Sequence, residues 1–320
     1  MDNSIPEVIT LGETMVLFSP EGQGPLRYMQ QFRKRVAGSE SNVAVGLCRL
    51  GHTAGWISRV GQDEFGKFLL KELRGEGVDV SHVTMDDQAP TGIMFKEFRS
   101  SRETRVTYYR KGSAASCMTA DDLDEEYISR AKILHITGIT PALSGSCWET
   151  VEAAIEMAKR HKLRISFDPN IRLKLWSAEQ AREIIGKILP KCDMILPGLD
   201  EAELLLGTSG VERSVDRLLE MGAKAVILKT GAEGCWAADR KEMYHVPGFD
   251  PGIIADPIGA GDAFAAGFLA GILENRTLRE CSGIANAMGA MALTTSGDYE
   301  GLPDRRELDN FIHSRQEITR

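Results

Sequence analysis

The sequence predicts an α/β protein, a mostly parallel central sheet flanked by helices, with a small β-layer inserted into it. Three observations predict this. From about residue 120, short apolar runs alternate with helical patterns, the rhythm of parallel strands joined by crossover helices. Before that point, 92–98 and 104–109 are rich in aromatic and β-branched residues and flank Ser100-Ser101-Arg102-Glu103, which reads as a hairpin that breaks the alternation. The C-terminal third is helical, and its first helix starts at a glycine-flanked turn.

In chain order, 7–11 reads as a first strand and 14–18 as another, after the Gly12-Glu13 break. A helix follows Gly38-Ser39-Glu40-Ser41-Asn42, turns Val43, Leu47 and Leu50 inward, and ends at Gly51. The next strand is 54–60. The helix after it starts at Asp63 as N-cap, with Phe65, Phe68, Leu69 and Leu73 as its apolar stripe. Strands follow at 133–136, 164–167, 194–196 and 225–228, between helices near 145–161, 178–189 and 211–221. Helices at 260–273, 277–295 and 305–315 complete the chain. The strands near 14–36 join the hairpin as the inserted layer. In such sheets ligands sit beyond the carboxyl ends of the strands.

The 320 residues suffice for one large α/β domain with an accessory piece. Hydrophobic residues make up 42% and charged residues 26%, a balance that excludes a disordered chain. The formal charge of −8 argues against nucleic acid or an anionic membrane as partner, while leaving room for a small anion held by local arginines. Six cysteines (48, 117, 147, 192, 235 and 281) lack CxxC spacing, which fits a reducing compartment and no zinc site. No secretory signal is visible, and the most apolar run, 263–273, is too short to span a bilayer. A cytoplasmic enzyme is the expectation.

The chemistry centres on Asp256-Pro257-Ile258-Gly259-Ala260-Gly261-Asp262. Gly259 and Gly261 present backbone N–H groups at a helix N-terminus, an anion site. Asp262 places a carboxylate beside it. A carboxylate there would repel a merely bound phosphate, but it serves as a base for a hydroxyl attacking phosphorus. Two decoys fall away. Gly259-Ala260-Gly261 opens like a dinucleotide fingerprint, but its sixth position is Phe264. Gly61-Gln62-Asp63-Glu64-Phe65-Gly66-Lys67 has Walker A spacing, but Phe68 replaces the magnesium-binding hydroxyl.

Four further segments each carry two readings. Gly38-Ser39-Glu40-Ser41-Asn42 is a capped helix start, or a place where a sugar approaches Gly38 and bonds Asn42. Tyr108-Tyr109-Arg110-Lys111 is a charged edge strand, or it aims Tyr108 and Arg110, on one face, at a substrate carboxylate. Asp168-Pro169-Asn170-Ile171-Arg172 is a turn-rich strand end, or it offers Arg172 as a second anchor. Lys229-Thr230-Gly231-Ala232-Glu233-Gly234 is a turn between strands, or a nucleotide contact through Thr230 or Gly231.

Taken together, Ala37-Gly38-Ser39-Glu40-Ser41-Asn42-Val43-Ala44, Arg59-Val60-Gly61-Gln62-Asp63-Glu64-Phe65-Gly66 and the 256–267 segment resemble the N- and C-terminal motifs of the ribokinase-like (PfkB) carbohydrate kinases. The resemblance covers nearly the whole chain. Within that family, 108–114, 135–143, 168–172 with Leu175-Trp176, and 297–301 are most similar to 2-keto-3-deoxygluconate kinases. The resemblance implies an α/β domain over 1–12, 37–90 and 113–320, with a β-sheet lid at 13–36 and 91–112. It implies ATP-dependent phosphorylation of a sugar acid's terminal hydroxyl. Asp262 would be the base, with Gly259, Ala260 and Gly261 as the anion hole. Substrate contacts would come from Gly38, Asn42, Tyr108, Arg110, Arg172 and Asp298. Nucleotide contacts would come from Lys229, Thr230, Gly231, Gly234, Gly261 and Asn286. Mg2+ would arrive with the phosphates near Glu201, and a monovalent cation (K+) would sit near Asp256.

Three departures from the family pattern are Met94 in place of a lid tyrosine, Gly198-Leu199-Asp200-Glu201 in place of Asn-x-x-Glu, and Glu13 in place of an aspartate that neutral-sugar kinases use. A neutral substrate would leave Arg110 and Arg172 as buried cations without a partner, which favours an acid. The rivals are a kinase for fructose or another neutral sugar, a non-catalytic sugar- or nucleotide-binding regulator and, more remotely, an NAD-dependent oxidoreductase. An exposed lid edge would favour a homo-oligomer.

Overall fold

Two β-sheets organise the chain in a computed structural model that describes residues 5–100 and 103–318. In chain order the elements begin with β1 (Val8–Leu11), β2 (Met15–Pro20), β3 (Phe32–Ala37), α1 (Ser39–Arg49), β4 (Ala54–Gly61), α2 (Glu64–Gly75) and β5 (Val83–Asp86). Next come β6 (Ile93–Ser100), β7 (Glu103–Tyr109), α3 (Glu125–Ser129), β8 (Ile133–Thr137), α4 (Gly145–Arg160), β9 (Arg164–Asp168), α5 (Ala178–Ile188) and β10 (Met194–Ile195). The rest are α6 (Leu199–Leu206), α7 (Val211–Glu220), β11 (Ala225–Lys229), β12 (Gly234–Ala238), β13 (Met243–Pro247), α8 (Ala260–Leu273), α9 (Leu278–Ala292) and α10 (Arg305–Ile318).

The large sheet has the order β13-β12-β11-β10-β9-β8-β1-β4-β5, parallel from β5 to β11 and antiparallel in its last two pairings. The chain leaves β1 toward β4 on one side and later returns to β8 on the other, so β1 marks the switch point where an open α/β sheet binds its ligand. The carboxyl ends of β1, β9 and β11 deliver Glu13, Asp168 and Lys229 to one cavity. The second sheet, β3-β2-β6-β7, is the lid. Strand alternation turns Met15, Leu17 and Met94 to one face, where they pack with Ala37. Phe18, Phe95 and Phe32 form an aromatic cluster on the other.

Local sequence accounts for the helices that hold the site. The Asp63 carboxylate caps α2 by accepting from the Gly66 N–H at 2.7 Å, and it also ties down Thr91 beside the lid. Helix α8 is buried almost all round because its small residues admit neighbours: a Cβ on Gly46 of α1 would lie 2.6 Å from the Ala266 Cβ, and one on Gly271 would lie 2.9 Å from Cys281 of α9. The apolar core lies on both faces of the large sheet, with α1, α8 and α9 on one side and α4, α5 and α7 on the other. Among the described residues no helix is long and apolar enough to cross a membrane.

Most of the expected elements recur within a residue or two, and α8 falls on the expected 260–273. Four did not figure in the sequence reading: α3, α6, β5 and the outer strand β13. All are short, and β5 and β13 are edge strands whose half-exposed faces lack a clear two-residue period. The hairpin turn expected at 100–103 lies outside the described residues at 101–102.

Candidate active site

Asp262 stands in the first turn of α8, buried, with both carboxylate oxygens engaged. The Ser39 hydroxyl donates to Oδ1 at 2.6 Å and the Asn42 amide donates to Oδ2 at 2.8 Å. Asn170 in turn donates to the Ser39 hydroxyl at 2.8 Å. Asn170 holds a left-handed backbone (φ 39°), a strained conformation for a non-glycine residue that recurs at functional sites. Burial pushes the Asp262 carboxyl up to about 7, the two hydrogen bonds work against that rise, and the Asp168 charge adds to it. A carboxyl poised near neutrality can take a proton from a sugar hydroxyl.

The turn before Asp262 is built from Gly259. Its φ is +85°, and a Cβ there would lie 2.1 Å from the Asp298 carbonyl oxygen, so no other residue fits. Gly259, Ala260 and Gly261 follow as the start of a 14-residue helix, whose free N–H groups favour an anion.

A cavity of about 380 Å³ opens onto this helix end. It is lined by Gly38, Met94, Tyr108, Arg110, Arg172 and Asp298, among others, and by Asp262 and Gly261. Gly38 is extended (φ −174°), and a Cβ there would meet Thr14 Oγ1 at 2.6 Å, so its lack of a side chain serves the lid junction. Asn42 is not a lining residue: its amide donates to Asp262 Oδ2.

Burial alone does not make Arg110 or Arg172 select an acidic substrate. Arg110 is buried but already paired: its Nε donates to Glu13 Oε2 at 2.6 Å, and Glu13 Oε1 accepts from the Ser113 hydroxyl at 2.5 Å. Arg172 is exposed at the cavity wall. Neither is a buried cation without a partner, so a neutral ligand carries no such desolvation penalty here.

At the carboxyl ends of β9 and β11, Lys229 Nζ donates to Asp168 Oδ2 at 2.7 Å. Burial disfavours the Lys229 charge, but Asp168 and Glu201 outweigh it and hold the ammonium above the usual lysine range. Glu201 accepts from the Ile171 N–H at 2.7 Å and the Gly198 N–H at 2.8 Å; burial and then Asp168 raise its carboxyl. The Gly198 contact is the cap of α6.

Thr230, Gly231, Gly234 and Asn286 lie outside the cavity lining. Thr230 Oγ1 donates to the Gly234 carbonyl at 3.0 Å, and Gly231 (φ +64°) and Gly234 (φ +101°) form a tight turn that adjoins Lys229. Asn286 on α9 donates to the carbonyls of Val246 and Pro247, tying the end of β13 to α9. On the lid side, the buried Lys96 ammonium lies 2.9 Å from Asp256 Oδ2 and 3.1 Å from Asp298 Oδ1.

Ser39, Asn170, Glu13 and Lys96 were not among the expected site residues. Ser39 and Asn42 are three apart on one helix face, a signal visible in the sequence. Asn170 lies in the Asp168–Arg172 segment already singled out; for Lys96 no local signal exists.

The pfkB family carbohydrate kinase signature matches residues 6–305. The 2-dehydro-3-deoxygluconokinase of Bacillus subtilis (strain 168) is 38% identical over 98% of this chain and 97% of its own length. A 5-dehydro-2-deoxygluconokinase of Clostridium botulinum (strain Eklund 17B) is 32% identical over 97% of this chain and 94% of its own. A candidate ribokinase II of E. coli, solved in complex with ATP and Mg2+, superposes with a TM-score of 0.91 at 29% identity, covering 97% of this chain and 99% of that one. With a family match over residues 6–305 and relatives at 38% identity over nearly the whole chain, joined to a buried carboxylate at a glycine-built helix start beside the second sheet, the chain belongs to the pfkB family of carbohydrate kinases and is a phosphotransferase.

Proposed function

We propose that this kinase transfers the γ-phosphoryl group of ATP to the terminal (6-) hydroxyl of 2-keto-3-deoxygluconate, giving 2-keto-3-deoxy-6-phosphogluconate and ADP. The observation that carries this reading is one cavity holding the near-neutral Asp262, the Gly259–Gly261 turn and the guanidinium groups of Arg110 and Arg172. The 38% identity to a 2-dehydro-3-deoxygluconokinase supports the same acid.

Arg172, exposed and lining the cavity, takes the substrate carboxylate. Arginine has five N–H donors, and the Glu13 contacts engage Nε and Nη2 of Arg110, so other donors of Arg110 remain to assist. Tyr108 and Met94 form the lid wall over the sugar, and closure excludes water as a competing acceptor. Asp262 accepts the hydroxyl proton as the new O–P bond forms and the bond to the ADP oxygen breaks. The N–H groups at the start of α8 and the Lys229 ammonium stabilise charge on the moving group. Thr230, Gly231, Gly234 and Asn286 frame the adjoining nucleotide groove. The neighbouring carboxylates Asp168 and Glu201 are a donor set that suits a hard cation bound through water. Among the described residues no three His, Cys, Asp or Glu side chains cluster as a metal site. When bound there, Mg2+ neutralises the phosphate oxygens.

The test is coupled ADP release with ATP and Mg2+, comparing 2-keto-3-deoxygluconate, 5-keto-2-deoxygluconate, fructose, ribose and no sugar. Preference for the first is expected. Preference for the second would reassign the acid, turnover of fructose or ribose would overturn the arginine assignment, and no sugar-dependent turnover would favour a binding protein. Asp262→Asn is expected to lower kcat about 10²–10⁴-fold with circular dichroism unchanged.

Self-association through the lid belongs to the same reading. Tyr28 (69% exposed) and Tyr109 (63% exposed) lie on the lid, Tyr109 against Phe95, near the edge strands β3 and β7. Light scattering is expected to give at least a dimer; a monomer at assay concentration would remove this assignment.

A further inference from the structure

Lys96 lies two residues after Met94 on β6, so both point from the lid into the cleft. Its ammonium is 1% exposed and sits between Asp256 Oδ2 and Asp298 Oδ1. Both carboxylates belong to segments that shape the anion turn. Asp256 Oδ1 accepts from the Ile258 N–H at 3.1 Å, one residue before Gly259. The Asp298 carbonyl fills the space where a Gly259 side chain would be. Lys96 thus fixes both walls of the Gly259–Gly261 turn from another sheet. Burial opposes its charge, but Asp298 and Asp256 outweigh that and keep it protonated.

The family resemblance implies a diffusible monovalent cation at Asp256, and the residues present do not fit one. An ammonium already occupies one oxygen of Asp256, a backbone N–H occupies the other, and a second cation beside Lys96 would be repelled inside a low-dielectric pocket. We infer that Lys96 is a tethered cation: it replaces a diffusible monovalent ion between Asp256 and Asp298, and it makes the geometry of the phosphate-binding turn depend on the lid's position. Lys96 is a positioning residue, acting through the two aspartates. This inference rests on the kinase family and on geometry, and holds whichever sugar is phosphorylated.

The test measures MgADP affinity by calorimetry without sugar, together with Tm, so that a wrong sugar assignment leaves it intact. For the wild type, KCl, NH4Cl, NaCl and tetramethylammonium chloride at equal ionic strength are expected to give the same affinity within about twofold. Lys96→Ala vacates the site. Its MgADP affinity is expected to fall about tenfold or more in tetramethylammonium chloride and to recover saturably with K+ or NH4+. Lys96→Gln, which refills the volume without the charge, is expected to lose affinity without recovery. Selective stimulation of the wild type by K+ would overturn the inference. So would a folded Lys96→Ala that no small cation rescues. Should Lys96→Ala fail to fold, the wild-type salt series and Lys96→Gln decide: a normal affinity in Lys96→Gln would show that the charge is dispensable.

Discussion

Asp262 titrates near 7 because the fold withholds water from it, and activity should follow. In the proposed role of base it must be ionised, so kcat/KM is expected to rise with pH through about 7 and then level. The Ser39 hydrogen bond favours the ionised form, so removing it must raise the carboxyl further. Ser39→Ala is therefore expected to move the rising limb of the pH–rate profile to higher pH while leaving the KM for ATP in place; an unmoved limb would separate Ser39 from the base. At the other functional group, Arg172→Leu is expected to raise KM for the sugar acid at least about tenfold, the cost of one charge-assisted contact, with little change for a neutral sugar. Equal effects on both would make Arg172 a wall. Asp262 was legible in the sequence because an acid at a glycine-flanked helix start has few structural explanations. That Ser39 and Asn42 meet it was not: Ser39 reaches it across 223 positions, and Asn170 reaches Ser39 across 131. Such pairs exist only once the sheet has assembled.

Helix α8 announces itself locally, through two glycines, an acid and a long apolar run, and its expected and observed limits agree. Helix α6 does not: it has eight residues, and its cap is the Glu201 side chain folding back on Gly198. The same segment reads equally well as a loop near a metal. The two glycines of the α8 start should also behave differently. Gly259→Ala forces a side chain against the Asp298 carbonyl at a positive φ, which displaces the N–H groups aimed at phosphate. A fall in kcat of about 10²–10³-fold is expected, the worth of one oxyanion-type donor. A Cβ on Gly261 meets Lys229 Nζ at 3.9 Å, an ordinary contact. Gly261→Ala is expected to be milder in the same kcat measurement, and the reverse order would mean that the turn is not the anion site.

At the scale of the molecule, the parallel sheet and the separate β-layer were legible from period and alternation alone. The coupling between them was not, because Lys96 meets its partners 160 and 202 residues along the chain. That separation has a consequence for biosynthesis. The lid strands leave the ribosome well before Asp256 and Asp298. Until then the nascent lid carries a lysine without its two carboxylate partners, on the strand face that also bears Met94. Loop closure over such distances is entropically costly, so docking of the lid belongs to the final, slow phase of folding. In the interval between those two events the solvated Lys96 is expected to serve the strand as a charge that discourages aggregation.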